Sequence, residues 1–369
     1  MDTAYCTTIG ADVSDRTTKI CVMSKMLGKP QIIVQETTIP TTPDGFREFL
    51  KHHDRKAPIV FETGTHCRWI DRVCRGEGFK TFVANPCRLR MITESKTKND
   101  KNDARMLARL ALADVELLHP VRLRDDEHQK MVNLHEIRDQ LVKERTAEIL
   151  QIRAIAKSIG FRIPDCSAEC FHNLDRKGWP KELNDIVWPL MKELKGKSVT
   201  IKTVEKQMKR IAKADAFRES VTRLMEIPNV GFFTATCFVA VTGGDMDRFD
   251  KPRDIGPWLG LAPRQDQSGD VDRQCHITKA GSSLLRWKLT QCAQKTMQKD
   301  SMETDLKVKG MRFCARGGKI AKRKAVAAVV RGLAVLMVAL LKNPGARYVP
   351  LSDYHAKELL AMNATNAAA

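Results

Sequence analysis

Residues 97–114, TKNDKNDARMLARLALAD, carry two aspartates at the start of a predicted helix. Asp100 and Asp103 precede an apolar stripe at helical spacing, which comprises Ala104, Leu107, Ala108 and Ala111. The spacing predicts a helix whose apolar face is buried. Aspartates at a helix start cap the backbone and suit the helix dipole, which is one explanation for them. A carboxylate that leads into a buried face is otherwise costly unless a cation meets it.

β-rich runs with turn-like breaks precede this helix. The runs cover residues 5–12, 18–25, 31–38, 57–62 and 80–85. Helical patterns cover residues 43–53 and 66–78, on either side of the fourth run. Three strands followed by alternating helices and strands predict an α/β domain with a central mixed sheet.

Two further carboxylates lie at the ends of predicted strands. Asp12 ends the first strand and Glu62 ends the fourth. Because strand ends on one edge of a sheet converge, both can point into one cleft with Asp100 and Asp103. Packed carboxylates repel one another unless cations hold them, and Mg²⁺ prefers oxygen ligands. Two such ions can clamp the attacking and leaving oxygens of a phosphodiester. The pattern therefore favours a Mg²⁺ site over capping alone, although Asp100 can also cap the helix.

The composition is strongly basic. There are 63 Lys and Arg residues against 44 Asp and Glu residues among 369, which gives a formal net charge of +19. This excess favours a polyanionic partner, above all nucleic acid. A basic membrane-surface protein is the alternative, but we find no strongly amphipathic basic helix or lipidation motif in the sequence to support it. Eleven scattered cysteines and an N-terminus unlike a signal peptide fit a reducing cytoplasm.

Two shorter features each have a structural and a functional interpretation. The apolar run 325–341 falls short of the roughly 20 residues of a membrane span. It also carries Arg331 centrally, so we expect a buried core helix and no membrane contact. Cys166, Cys170 and His172 resemble part of a zinc site, but the second half of a four-ligand site is missing.

The middle of the chain is long, helical and charged. Apolar residues recur near helical spacing over 126–160 and again over 194–211, with a loop-like stretch at 162–183 between them. This pattern predicts a long antiparallel coiled-coil arm, with an ordinary helical hairpin as the alternative. Residues 227–243, IPNVGFFTATCFVAVTG, resemble a helix–hairpin–helix whose backbone amides grip a phosphate. A plain helical turn is the alternative there.

Several of these stretches together resemble one protein family. IGADVSD at 9–15, FETG at 61–64, ANPCRLR at 84–90 and KTKNDKNDARMLARLA at 96–111 resemble the DEDD catalytic domain of bacterial insertion-sequence transposases. That domain is similar in fold to the RuvC resolvase, within the RNase H-like class. The segments 227–244 and 259–286 resemble the transposase domain of the same family.

The resemblance implies a division into four parts. Residues 1–118 would form the RuvC-like α/β domain, residues 119–218 the coiled-coil arm and residues 219–345 a mostly helical transposase domain. Residues 346–369 would form a frayed C-terminal tail. The implied location is the bacterial cytoplasm.

The resemblance also implies an activity, namely that of a bridge-RNA-guided DNA recombinase. In that family a structured RNA pairs with donor and target double-stranded DNA, and the protein works as a tetramer formed from dimers. The carboxylates Asp12, Glu62, Asp100 and Asp103 would hold Mg²⁺. Ser268 of QSGD, a polar stretch that predicts a loop, would attack the DNA and form a phosphoserine intermediate. The carboxylates and the serine of this composite site would come from different protomers.

Basic residues near these motifs are the predicted nucleic-acid contacts. They are Lys96, Lys98, Arg105, Lys279, Arg286, Arg316, Lys319, Lys322, Arg323 and Lys324.

The sequence departs from the family pattern at a few positions. Asp15 stands where the family usually has Lys, Lys98 and Asn99 lengthen the run before Asp100, and Ser282 stands where the family favours Asn. Asp15 is therefore an extra carboxylate near the site, and Ser282 and Ser283 are rival hydroxyls to Ser268. Two other functions stay open: a RuvC-like junction resolvase or nuclease that uses water, and a non-catalytic nucleic-acid-binding scaffold.

Overall fold

The computed structural model describes residues 6–26, 28–89, 100–268, 271–352 and 356. The chain divides into two compact units, one up to Leu123 and one from Arg124. The segment predicted as the arm thus falls mostly within the second unit. The finer division at residues 118, 218 and 345 stays a prediction.

The first unit is built on a five-stranded sheet. Its strands are β1 (Thr7–Val13), β2 (Thr17–Ser24), β3 (Ile32–Pro40), β4 (Ile59–Glu62) and β5 (Thr81–Ala84). They are arranged in the order β3-β2-β1-β4-β5. β1, β2 and β3 pair antiparallel, whereas β4 pairs parallel with both β1 and β5. The predicted α/β domain with a mixed sheet is therefore confirmed.

Within the described residues of this unit, three α-helices cover the sheet on its two faces. They are α1 (Pro43–Leu50), α2 (Cys67–Gly76) and α3 (Asp100–Ala113). On one face, Ile9 and Phe61 of the strands share a core with Phe46 of α1 and Ile70 of α2. On the other face the buried side of α3 packs against the strands, with Leu107 and Ala111 close to Val60 and Ala84, and Ala104 and Ala108 close to Cys21 and Met23. Because helices cover both faces of the sheet, consecutive residues in the middle of β1, β2 and β4 are buried, whichever face they point to.

The second unit is mostly helical. Its helices are α4 (Asp126–Ser158), α5 (Lys181–Ile211), α6 (Asp215–Leu224), α7 (Phe232–Thr242), α8 (Ile255–Trp258), α9 (Ser283–Thr296), α10 (Asp305–Cys314) and α11 (Gly318–Lys342). A hairpin of β6 (Pro263–Ser268) and β7 (Val271–Ile277) lies between α8 and α9. The hairpin is a correction, because the sequence predicts a loop at QSGD whereas its serine is the last residue of β6.

The two long helices α4 and α5 run antiparallel along each other. Arg138 Nε of α4 contacts Glu205 Oε1 of α5 at 2.8 Å. Further towards the carboxyl end of α4, Glu148 pairs with Lys197 of α5. At one end of the pair, side chains of α4 and α5 belong to the main core of the second unit. At the other end, the two helices have a separate core around Ile152 and Leu194. The antiparallel pair agrees with the predicted arm, while its coiled-coil character stays a prediction. The predicted loop is shorter than expected, because α5 already begins at Lys181.

Residues 227–243 form one helix and not two. The helix is α7, which is buried along most of its length, whereas the helix before it, α6, already ends at Leu224 and lies outside the predicted stretch. The interpretation of this region as a helix–hairpin–helix that grips phosphate stays a prediction.

The apolar helix α11 is long and apolar enough to cross a membrane by length and composition. Its residues Ala325, Val329, Leu333 and Met337 are buried in the main core of the second unit. We therefore interpret α11 as a core helix, as expected. It begins earlier than the apolar run, so the basic residues 319–324 form its first turns.

The beginning of the predicted tail is bound to the second unit. The Asp305 amide donates to the Pro350 carbonyl at 2.9 Å, and the Ser352 amide donates to Asp305 Oδ1 at 2.8 Å. A frayed tail that begins at residue 346 is therefore wrong for residues 350–352. Beyond Ser352, the described residues include only Ala356 of the predicted tail.

Candidate active site

The parallel register of two strands brings two of the predicted carboxylates together. β1 and β4 pair through Ile9 with Ile59 and through Ala11 with Phe61. One residue further along, Asp12 and Glu62 occupy neighbouring positions at the carboxyl ends of the two strands. Adjacent strands lie about 4.7–4.9 Å apart. Both residues are half-buried.

Helix α3 is held against β1 at unusually short range. A β-carbon at Gly10 would lie 2.1 Å from the Ala104 carbonyl oxygen and 2.6 Å from the Ala108 nitrogen. The buried Thr8 hydroxyl donates to the Ala108 carbonyl at 2.8 Å. Glycine is therefore required at residue 10 because two backbones meet there. The carboxylate motifs alone do not point to Gly10; the signal for such a contact in the sequence is a glycine between apolar residues of a predicted strand.

These contacts fix how the acidic first turn of α3 lies on β1. Thr8 is opposite Ala108 and Gly10 is opposite Ala104, so the helix runs antiparallel to the strand. Asp12 shares the helix-facing side of β1 with Thr8 and Gly10, because side chains alternate along a strand. Asp12 is the next residue on that side of β1 after Gly10, so it lies towards the first turn of the helix, which contains Asp100 and Asp103.

The described residues contain part of the predicted carboxylate set. Asp103 is half-buried beside the buried Ala104, and Asp100 is the first residue of α3. The side chain of Asp100 lies outside the described residues. Among the side chains that are described, no three or more His, Cys, Asp or Glu residues are grouped so that they could hold a metal ion. The metal site thus stays a prediction, although its all-oxygen donors fit the preference of Mg²⁺.

Asp15 lies just past the end of β1, where its partner is His66, the N-cap residue of α2. Its Oδ1 is 3.1 Å from His66 Nε2, and the Trp69 indole donates to His66 Nδ1 at 3.1 Å. Because an indole N–H only donates, His66 Nδ1 must accept, and His66 therefore carries its proton on Nε2 and donates to Asp15. Asp15 thus pairs with His66 and is separated from Asp12 by two residues of the chain.

The predicted nucleophile belongs to the second unit. Ser268 is the last residue of β6 and pairs with Val271 of β7. Its side chain and the two residues between the strands lie outside the described part of the chain. The rival Ser282 caps α9, since its Oγ accepts from the Leu285 amide at 3.3 Å, whereas Ser283 is exposed.

Comparison with known proteins shows similarity across both units. Residues 9–161 match the DEDD transposase family of IS110, and residues 221–307 match the IS116/IS110/IS902 transposase family. The chain belongs to the IS116/IS110/IS902 family of transposases. The first match covers β1, β4 and α3, and therefore every predicted carboxylate; the second covers Ser268.

Individual relatives agree with this family. The chain is 30% identical over 242 residues to the transposase for insertion sequence element IS1111A of Coxiella burnetii, covering 64% of this chain and 65% of the relative. It is 29% identical over 244 residues to the transposase for IS1328 of Yersinia enterocolitica, covering 65% and 71%. It is 24% identical over 304 residues to the pilin gene-inverting protein of Moraxella bovis, covering 76% and 80%. The match to the IS1111A transposase spans less than two thirds of that protein's length.

Two of the predicted nucleic-acid contacts of this family member have partners within the protein. Arg105 of α3 binds Glu36 of β3 through two hydrogen bonds, one of which joins Nη2 to Oε2 at 2.9 Å. Lys101 Nζ lies 3.0 Å from the same carboxylate. The hydrogen bond from Arg105, with further help from Lys101, lowers the pKa of Glu36 to about 2. Arg105 therefore anchors α3 two residues after Asp103.

Arg286 likewise holds the backbone of its own unit. Its Nη1 donates to the carbonyls of Leu259, Ala280 and Gly281 at 3.0, 2.6 and 3.1 Å. Burial lowers the pKa of its guanidinium. Backbone segments also approach closely at Gly260 and Gly281, and this approach requires glycine at both positions. A β-carbon at Gly281, for example, would lie 2.3 Å from the Trp258 carbonyl oxygen.

The other predicted nucleic-acid contacts are exposed or outside the described part. The exposed residues are Lys279, Arg316, Lys319, Lys322, Arg323 and Lys324. The last four lie in the first turns of α11. Lys96 and Lys98 lie outside the described residues. The early turns of α11 thus present a cluster of positive charge on a helix whose later turns are buried.

Proposed function

We propose that this protein is an RNA-guided DNA recombinase of an insertion sequence, which cuts and rejoins donor and target DNA. The observation that carries the proposal is the juxtaposition of Asp12 and Glu62 at neighbouring strand ends, beside a helix whose acidic first turn is fixed through Gly10. Family membership adds weight, and so does the similarity to a protein named for inverting a pilin gene. Inversion of a gene also requires DNA to be cut and rejoined.

Asp12, Glu62, Asp100 and Asp103 are the residues that would hold Mg²⁺. When bound, the metal would neutralise charge on the phosphodiester and activate the attacking hydroxyl. The strand ends and the first turn of α3 orient the carboxylates, and the Arg105–Glu36 pair together with the Gly10 contact keeps the helix from shifting. The half-buried setting of Asp12, Glu62 and Asp103 limits the access of water to them.

Ser268 is the proposed nucleophile. Its oxygen would form a bond to phosphorus while the bond from phosphorus to a DNA oxygen breaks. The serine loses its proton, and the released DNA oxygen takes one up. The products are a phosphoserine ester and a free DNA hydroxyl, so bond energy is conserved. Attack by a hydroxyl of the new DNA partner restores the serine and needs no ATP.

Both DNA and a structured guide RNA are proposed partners. The net charge of +19 and the exposed basic first turns of α11 support phosphate binding. A tetramer formed from dimers is the proposed assembly, because long helices such as α4 and α5 are suited to reach another protomer.

The test is a search for a covalent protein–DNA intermediate. Wild-type protein, a transcript of the DNA that flanks the gene, Mg²⁺ and a nicked suicide substrate should leave DNA on the peptide that contains Ser268. Ser268→Ala should bind the same nucleic acids and form no adduct, whereas Ser282→Ala and Ser283→Ala should still form one. Cleaved DNA without any protein–DNA adduct would contradict the proposal and would favour a nuclease that uses water.

A further inference from the structure

A groove of about 320 Å³ lies in the second unit between α9 and α11. Its α9 wall comprises Ser283, Arg286, Trp287 and Thr290, and its α11 wall includes Arg323, Val326 and Val330. The positions on each helix are three or four residues apart, so each wall is one continuous helix face. Lys279, after the end of β7, closes the groove. The volume falls at the lower end of the range of small-ligand sites, about 300–1,000 Å³.

An exposed tryptophan stands in this groove. Trp287 leaves 56% of its surface exposed, whereas its neighbours Leu285 and Leu289 on α9 are fully buried. A large aromatic side chain on the surface of a well-packed helix forgoes burial that the fold could otherwise use. Such residues mark surfaces that bind a flat or apolar partner.

The charge around Trp287 is positive. Lys279 and Arg323 are exposed at the groove, and Arg286 carries its charge in the wall while its Nη1 is held by backbone carbonyls. The described lining residues include neither Asp nor Glu. An aromatic face with cations on either side is complementary to a base with its flanking phosphates. A purely apolar partner would not require these cations, and an acidic peptide would not require the indole face.

We propose that this groove binds one unpaired nucleotide of a single-stranded nucleic acid, with its base stacked on Trp287 and its phosphates bound by Lys279 and Arg323. The inference rests on the proposed nucleic-acid function and adds that the nucleic acid is single-stranded where it contacts this groove. A base within a duplex is stacked on its neighbours and does not offer its face to an indole, so the groove selects a loop or a displaced strand.

The test measures the affinity of the full-length protein for labelled strands of about ten nucleotides, within the usual site size. Single-stranded RNA, single-stranded DNA of the same sequence and the matching duplexes are compared by fluorescence anisotropy at one salt concentration. Trp287→Ala should weaken single-strand binding by about 5- to 150-fold, the range for loss of one stacked base. Duplex binding should change by less than about 2-fold, since no base is stacked on the indole.

Two further variants separate stacking from folding. Trp287→Phe keeps an aromatic face and should retain most of the single-strand affinity. Trp188→Ala removes a tryptophan that is 54% exposed on α5, where it contacts Arg176, and should leave single-strand affinity unchanged. If Trp287→Ala weakens binding of the RNA strand alone, the bound nucleotide comes from RNA. An equal loss for the RNA and DNA strands shows that the groove does not distinguish ribose from deoxyribose.

Equal single-strand affinity of Trp287→Ala and Trp188→Ala would overturn the inference. So would a Trp287→Ala protein that changes only its oligomeric mass in mass photometry, because the groove would then bind protein. In either case, wild-type protein that still forms the Ser268 adduct leaves the proposed function standing. Wild-type protein that binds no nucleic acid would remove the proposed function together with this inference.

Discussion

Gly10 and Ala104 lie so close together that a β-carbon on Gly10 would stand 2.1 Å from the Ala104 carbonyl oxygen. This contact joins β1, whose last residue but one is Asp12, to the helix that begins at Asp100. Real β-carbons essentially never approach an oxygen so closely, so either the helix or the strand must move if residue 10 gains a side chain. The position of the acidic turn therefore depends on a residue that carries no chemistry itself.

Gly10→Ala should displace α3 and reduce both stability and DNA cleavage. Overpacking of a well-packed interior costs about 1–3 kcal/mol, and the shift moves Asp103 away from Asp12. Urea unfolding and the yield of covalent adduct measure the two effects. Gly76→Ala is the matched control, since a β-carbon there meets nothing within 4 Å. Equal adduct yields from the two variants would show that the Gly10 contact does not position the site.

Asp12→Ala and Glu62→Ala should each reduce strand cleavage by more than about 100-fold, the scale for loss of one charge contact at a reacting group. Binding of the RNA should be largely retained, because neither residue belongs to the basic surface. Asp15→Ala should cause a much smaller loss, since Asp15 is 96% exposed and pairs with His66. Full cleavage by Asp12→Ala in Mg²⁺ would contradict the carboxylate assignment.

Much of the first unit was predictable from local pattern. The end of β4 at Glu62, the end of β1 to within one residue of Asp12 and the helix start at Asp100 follow from apolar periodicity, which depends on neighbours in sequence. The Gly10 contact and the Arg105–Glu36 pair join residues far apart in the chain, so no local pattern reveals them.

In the second unit, too, the sequence alone does not reveal contacts between residues that are far apart in the chain. Sequence alone does not distinguish Arg286, which binds backbone carbonyls, from Arg323, which is exposed. Both are arginines on helices near glycines, and only the packing of residues 259–260 against 280–281 separates them. The sequence does not predict the hairpin that ends β6 at Ser268 either, because its polar residues are typical of a loop.

Stability should depend on Glu36 at acidic pH. The Arg105 guanidinium lowers the pKa of Glu36 from 4.5 to about 2, so the folded state binds this proton more weakly than the unfolded state. The contribution is therefore complete above pH 4.5 and is lost as the pH falls towards 2. Glu36→Gln should lower stability at pH 7 by about 1 kcal/mol or less, the range for partly exposed pairs.

The difference between wild type and Glu36→Gln should accordingly shrink between pH 4.5 and 2. Urea unfolding at several pH values measures it. Glu116→Gln, at an exposed glutamate of the same unit, serves as the control. A difference that is constant across this pH range would show that the ion pair does not contribute.

Replacing Lys319, Lys322 and Lys324 together by Ala should flatten the salt dependence of DNA binding. Each phosphate contact that is lost reduces the slope of log K against log salt by about 0.9 for duplex DNA. The matched control replaces three exposed lysines of α5, namely Lys192, Lys195 and Lys206, which gives the same change in net charge. Identical slopes for the two triple variants would indicate that α11 does not contact phosphates.

Two inactive variants should restore activity when they are mixed, if the site is composite. Glu62→Ala lacks a carboxylate but keeps Ser268, whereas Ser268→Ala keeps all four carboxylates. In a mixed oligomer, the intact carboxylates of one protomer meet the intact serine of another, and some adduct should return on the Glu62→Ala chain. Differently tagged chains and mass spectrometry of the adduct show which protomer carries the DNA. Mixed oligomers that form but give no adduct at any ratio would indicate that each site is built within a single chain.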